Sequence, residues 1–178
     1  GHVLWEENSN NQRSIASITK VMTATVFLEN PPDMEREVVV ERADVRAAST
    51  THLRAGYHVT VDNLLHLMLI ASDNAAARVL ARVSPMGSDG FIDRMNSKAA
   101  ERGLVNTHYA DPSGLLSDNV SSAFDMAQLI THASNDPRIA SIMQLPQYTH
   151  ADSGSGAANS VEMRASKPRP ATVMAKVC

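Results

Sequence analysis

A single cysteine, Cys178, rules out an internal disulfide and is neutral about redox compartment. A basic excess is also missing. The formal net charge of -3 leaves no electrostatic footprint for nucleic acid. No uninterrupted apolar run is long enough to cross a bilayer. No lysine-rich start leads into a short apolar core, so no signal peptide is visible. The chain opens on Gly1-His2-Val3-Leu4-Trp5, which reads as strand, and the expectation is that the natural amino terminus lies upstream. The seven histidines form no His-Glu-x-x-His and no Cys/His cluster, so neither a metal nor a cofactor is expected. What is present, 43% hydrophobic and 20% charged residues, describes a folded globule: one domain or a fragment of one.

Residues 3–5 are a strand candidate and residues 6–12, polar and asparagine-rich, a turn. Residues 14–29 read as a helix buried nearly all round, with Ile15, Ile18, Met22, Thr25 and Val26 on its main face and Asn30-Pro31-Pro32 ending it. Three consecutive valines mark a strand over 36–41. Thr60 caps a helix predicted to run unbroken to about residue 83, through an apolar centre over 64–71. Ser88 is expected to cap a helix bearing Phe91, Ile92, Met95 and Ala99, which Gly103 terminates. Asp111-Pro112-Ser113-Gly114 is a turn. Ser122 opens another helix, Asn135-Asp136-Pro137 ends it, and a short one follows over 138–145. Small strands bracketing a mostly helical 43–145 suggest an α+β fold whose remaining strands come last. Yet residues 151–178 contain no leucine, isoleucine or aromatic side chain, and Ala, Ser and Gly fill 12 of those 28 positions. Such a break in composition marks a linker, a disordered tail or foreign sequence, with residues 173–177 as one weak strand.

Ser17 and Lys20 stand three apart, the spacing that puts a hydroxyl and an amine on one helix face. A serine is a poor nucleophile until a base takes its proton. A lysine serves as that base if burial depresses its pKa. Ser72-Asp73-Asn74 follows 55 positions later inside the apolar helix, where a polar triplet is costly unless something uses or satisfies it. Ser72 is a candidate proton relay and Asn74 a candidate clamp for a substrate amide. The implied chemistry is acyl transfer through a serine ester. The plainer reading makes Ser17 a helix-start serine and Lys20 a snorkelling surface cation. With eighteen serines and four lysines, a Ser-x-x-Lys arises by chance about 0.4 times. The second triplet, Ser117-Asp118-Asn119, reads as turn and capping chemistry. His66 reads as a satisfied core histidine, and Arg13 as a solvated charge.

These segments together resemble the low-molecular-mass penicillin-binding proteins, the serine D-alanyl-D-alanine carboxypeptidases and endopeptidases. Residues 13–24 look like that family's nucleophile helix, and Gly56-Tyr57-His58-Val59-Thr60 leading into Ile70-Ala71-Ser72-Asp73-Asn74 looks like its second motif in context. Asn106-Thr107-His108 through Asp111-Pro112-Ser113-Gly114-Leu115 agrees with the stretch beyond. The resemblance covers about residues 3–150, within one DD-peptidase-like domain taken as 1–150, and leaves 151–178 as an atypical tail. It implies a β-lactamase/DD-peptidase-like fold, a five-stranded antiparallel sheet flanked by helices with a helical subdomain. It implies Ser17 as the acylated nucleophile, Lys20 as its general base, and Ser72 and Asn74 as second-motif groups, with Asp73 touching substrate. Asp73, and the wording around Ser17, look more like the endopeptidase branch. The implied partners are peptidoglycan peptides, with β-lactam antibiotics as covalent inhibitors, and the implied location is the periplasm or outside of a bacterium.

The departure is at the carboxyl end. The family's Lys-Thr-Gly strand, which binds the substrate backbone, has no counterpart; Lys167, in Ser166-Lys167-Pro168, stands nearest that position as a substrate-binding candidate. A shift of reading frame would leave a tail of this kind. Two rivals follow. A class A-like β-lactamase needs a deacylating glutamate, for which Glu101 is the nearest candidate. An inactive fragment or wall-binding remnant needs no chemistry.

Overall fold

The computed structural model describes residues 5–145, 147–151 and 160–164. Strand β1 (Arg13–Ser14) leads through a 3-10 turn (Ala16–Ile18) into α1 (Thr19–Phe27), then β2 (Glu37–Val39), α2 (Arg42–Val45) and β3 (His58–Thr60). There follow α3 (Val61–Ile70), α4 (Asn74–Val83), α5 (Gly87–Glu101), β4 (Val120–Ser121), α6 (Ala123–Ser134), α7 (Pro137–Met143), β5 (Gln147–Ala151) and β6 (Ser160–Arg164). The class is α+β, as expected. In place of one five-stranded sheet, the described strands form three antiparallel pairs: β1 with β4, β2 with β3, and β5 with β6.

Helix α1 is the hub. Every residue of it but Val21 is buried, and α3, α4, α5 and α6 all pack against it. Met22, Val26 and Phe27 meet Leu64, Leu67 and Met68 of α3, Ala76 and Leu80 of α4, and Phe91 and Met95 of α5 in one core cluster. Burying a side chain of this size contributes about 1.5–3 kcal/mol, so the hub is fixed by many such contacts at once. Truncating Phe27 to alanine would cost about 3–5 kcal/mol.

The helix starts later than the sequence pattern predicts. Arg13 and Ser14 are claimed by pairing with Ser121 and Val120, and residues 16–18 wind as 3-10 before α1 begins. The helix predicted from Thr60 to 83 is two helices. Thr60 caps α3, accepting from the Asn63 N–H at 3.2 Å, but the chain breaks at Ser72, which takes φ +55°. Asp73 then caps α4 by accepting from Ala76 N–H at 2.9 Å. Apolar continuity told which residues are buried; it was blind to short polar side chains that bond backbone groups in preference to continuing a helix. Helix α5 begins at Gly87, so Ser88 lies inside its first turn and caps nothing. Gly103, at φ +69°, ends it as expected. Ser122 caps α6, and Asp136 with Pro137 opens α7.

Residues 3–4 of the first strand candidate and residues 173–177 of the last lie outside the described residues. Within the compositionally odd tail, residues 160–164 form a strand, registered from Gln147↔Arg164 to Ala151↔Ser160. His66 is largely covered: its Nδ1 lies 2.9 Å from the Asp62 carbonyl, and its ring stacks on Tyr148 with centroids 4.3 Å apart.

Candidate active site

Ser17 is exposed at the head of α1, while Lys20, one turn on, is 3% exposed. Lys20 Nζ donates to three acceptors: Ser17 Oγ at 3.2 Å, Asn74 Oδ1 at 2.6 Å and the Ser113 carbonyl at 2.7 Å. The geometry suits a base. A neutral amine has two N–H groups and one lone pair. Asn74 and Ser113 offer only acceptors to the N–H groups, which leaves the lone pair for the Ser17 hydroxyl. Burial pulls Lys20 from 10.5 down to about 8, against the opposing pull of the Asp111 and Asp73 carboxylates. At pH 7 such a lysine is neutral about a tenth of the time.

Asn74 is aimed by its amide. Its Nδ2 donates to the Ala48 carbonyl at 2.8 Å, which turns Oδ1 toward Lys20. Ala48 stands between Ala47 and Ser49, which take φ +51° and +60°. The loop is tied to the second triplet by Asn74 N–H donating to the Thr50 carbonyl at 3.1 Å.

Of the sequence-predicted site residues, the structure thus brings Ser17, Lys20 and Asn74 into one hydrogen-bonded cluster. Ser72, two residues before Asn74 in sequence, is half-buried, and its hydroxyl makes no hydrogen bond among the described residues. Asp73 departs from expectation. It is fully buried, and its carboxylate accepts from Thr51 Oγ1 at 2.9 Å, His52 N–H at 2.6 Å and Ala76 N–H at 2.9 Å. Those donors occupy both oxygens, so a substrate has no access to them. Lys167 lies outside the described residues. Glu101, the deacylating candidate, is at the far end of α5 in ion pairs with Arg94 and Lys98, with no tie to Ser17.

The sequence missed the third acceptor around Lys20 and the loop that carries it. Thr23 Oγ1 donates to the Pro112 carbonyl at 2.7 Å, pinning the 111–114 turn along α1. Gly114, at φ +81°, sits so close that a Cβ there would lie 1.9 Å from the Ala16 carbonyl oxygen. Ala16 itself takes φ +45°. Ala16, the residue before Ser17, and Ser72 are both held in the left-handed region, where a non-glycine residue costs about 1–3 kcal/mol. The turn signal at Asp111-Pro112-Ser113-Gly114 was the one available hint. Among the described residues no group of three or more His, Cys, Asp or Glu side chains is placed to hold a metal ion. No helix among them is long and apolar enough to cross a membrane.

A family model described as D-alanyl-D-alanine carboxypeptidase matches residues 1–166. The chain is 37% identical over 145 residues to a D-alanyl-D-alanine endopeptidase of Haemophilus influenzae, covering 80% of this chain and 50% of that one. It is 36% identical over 133 residues to a D-alanyl-D-alanine carboxypeptidase of Bacillus subtilis, covering 71% and 34%. Among solved structures it superposes on a D-alanyl-D-alanine carboxypeptidase of Mycobacterium tuberculosis with a TM-score of 0.81 at 31% identity, covering 92% of this chain and 61% of that one. A Streptomyces DD-transpeptidase gives a TM-score of 0.83 at 26% identity, covering 91% and 68%. The chain spans about half the length of the endopeptidases it matches, 50% and 49% for two of them.

Proposed function

The chain belongs to the D-alanyl-D-alanine carboxypeptidase family, and from that premise we propose that residues 1–150 form a serine D-Ala-D-Ala peptidase domain acting on peptidoglycan peptides. The observation that carries the reading is the three-way hydrogen bonding of a buried lysine to Ser17, Asn74 and the Ser113 carbonyl. Ser17 Oγ attacks the carbonyl carbon of the D-Ala-D-Ala bond as neutral Lys20 takes its proton. The tetrahedral intermediate collapses, the C–N bond breaks, and the leaving amine receives the proton that Lys20 took, with Ser72 assigned as relay on its place in the second triplet. Water then hydrolyses the Ser17 ester and returns the free hydroxyl. In a β-lactam the leaving nitrogen stays tethered to the acyl group, which favours a lasting adduct.

Asn74 holds the amine, and Asp73 positions Asn74 by capping α4; Asp73 is not assigned a substrate contact. The endopeptidase reading, cleavage of D-alanyl cross-links, is supported by endopeptidases of three bacteria among the relatives. A cell-wall substrate fits a periplasmic or secreted location. Fluorescent penicillin tests the proposal. Wild-type chain should acquire a covalent label and Ser17→Ala none, and a folded wild-type chain without label would reduce it to a non-catalytic remnant. The acylation rate should fall as pH drops through about 8, because Lys20 is protonated below that value. A cross-linked muropeptide dimer and a pentapeptide, offered side by side, separate endopeptidase from carboxypeptidase action.

A further inference from the structure

Resting on the acyl-transfer reading above, we propose that Asp111 and Asn119 are positioning residues that together hold the Ser113 carbonyl against Lys20 and set the electrostatic field in which that amine works. Neither touches the nucleophile. Both are buried, Asp111 at 9% exposure and Asn119 at 0%.

The Asp111 carboxylate gathers the loop that follows it. Its Oδ2 accepts from the Ser113 N–H at 3.0 Å and from the Ser113 hydroxyl. Its Oδ1 accepts from Gly114 N–H at 3.1 Å, Leu116 N–H at 3.2 Å and the Asn119 side-chain amide. Asn119 closes the other side. Its Oδ1 accepts from Ala110 N–H at 3.0 Å and Asp111 N–H at 3.3 Å, and its Nδ2 also donates to the Leu116 carbonyl at 2.9 Å. Because the Gly114 N–H is tied to Asp111, the Ser113–Gly114 peptide unit is held from one end and presents the Ser113 carbonyl oxygen to Lys20 at 2.7 Å. The loop is in turn anchored to the nucleophile turn, since the Asn119 carbonyl accepts from Ile15 N–H at 3.0 Å. Gly114 against Ala16 closes the same seam.

Hydrogen bonds to a carboxylate favour its ionised form. Burial alone would raise the Asp111 carboxyl, but the bonds from Ser113, Leu116 and Asn119 overcome it and hold the group below the usual carboxylate range. Asp111 is therefore an anion throughout the range in which Lys20 titrates. The charged groups facing Lys20 are Asp111 from the 111–119 loop and Asp73 from the α3–α4 bend, with His52 Nδ1 lying 3.4 Å from Asp73. Asp111 thus both fixes an acceptor on the amine and opposes its desolvation. A scaffold role alone would fix the acceptor but would not oppose the effect of desolvation on the amine.

The test reads the lysine directly, so it does not depend on catalysis. In the full chain, the Lys20 side-chain ammonium is followed by NMR against pH. Asp111→Asn should lower the Lys20 midpoint by about one unit, with a matching downward move of the acidic limb of penicillin acylation. An unchanged or raised midpoint in a folded Asp111→Asn chain overturns the proposal. Should that variant not fold, the unmutated chain still decides. The Asp111 carboxyl carbon should keep a carboxylate shift from pH 5 to 9 and inflect at the Lys20 midpoint; a flat resonance, or a protonated carboxyl at neutral pH, overturns it. An unlabelled wild-type chain would defeat the acyl-transfer reading separately.

Discussion

The tripeptide Ser-Asp-Asn occurs twice, at residues 72–74 and 117–119, and the two copies are put to opposite use. In the first, the aspartate is buried as a helix cap and the asparagine faces Lys20. In the second, the aspartate is exposed, and the asparagine is buried and clasps another carboxylate, that of Asp111. The serines differ as well: Ser72 is forced to φ +55°, whereas Ser117 is not among the residues at positive φ. Identical letters carry different chemistry because one copy divides two core helices and the other closes a surface-starting loop. The backbone decides which of the three side chains is turned inward.

Exchanging the aspartates should give the widest contrast. Asp73→Ala leaves the Ala76 and His52 N–H groups and the Thr51 hydroxyl without their acceptor, and should cost about 3 kcal/mol in urea unfolding. Asp118→Ala should stay within about 0.5 kcal/mol of wild type. The asparagines should separate by kind of effect. Asn74→Ala should slow penicillin acylation by about 10²-fold with a stability loss near 1 kcal/mol. Asn119→Ala should cost about 2–3 kcal/mol of stability, because it strips the loop of bonds to both Asp111 oxygen and backbone. If both asparagines gave the same balance of rate and stability, the contrast would collapse. The serines should differ least: Ser72→Gly should raise stability by about 1 kcal/mol through relief of its left-handed backbone, and Ser117→Ala should change it by less than about 0.5 kcal/mol. Thermal and urea melts read both.

Much of the site was visible in the residues themselves. Ser17 and Lys20 announce each other by spacing, and Asn74 by being polar inside an apolar stretch. The Ser113 acceptor had no such mark, because a carbonyl belongs to every residue and only the fold selects which one is used. Asp111 looked like turn chemistry and is that, yet its five donors come together only after the loop has closed. Asp73 misled for the opposite reason: a carboxylate beside a motif suggests a ligand contact, whereas backbone N–H groups at a helix start compete for it more strongly. On the fold side, buried faces were legible from periodicity, but the break between α3 and α4 was not, since apolar residues flank it on both sides. Strand β1 is only Arg13–Ser14, too short and polar for any strand pattern, and exists because β4 lies alongside.

Two of the three acceptors of Lys20 come from 54 and 93 residues further along the chain. Contacts of such long sequence separation form late, after local helices and turns. As the chain leaves the ribosome, Ser17 and Lys20 emerge before Asn74 and Ser113, as an ordinary alcohol and an ordinary cation. The hydrogen-bonded cluster is complete only when residues 111–119 have been synthesised and have docked, so on the proposed function a half-made protein carries no armed nucleophile. Acylation by penicillin during translation would thereby serve as a clock for the completion of the tertiary structure.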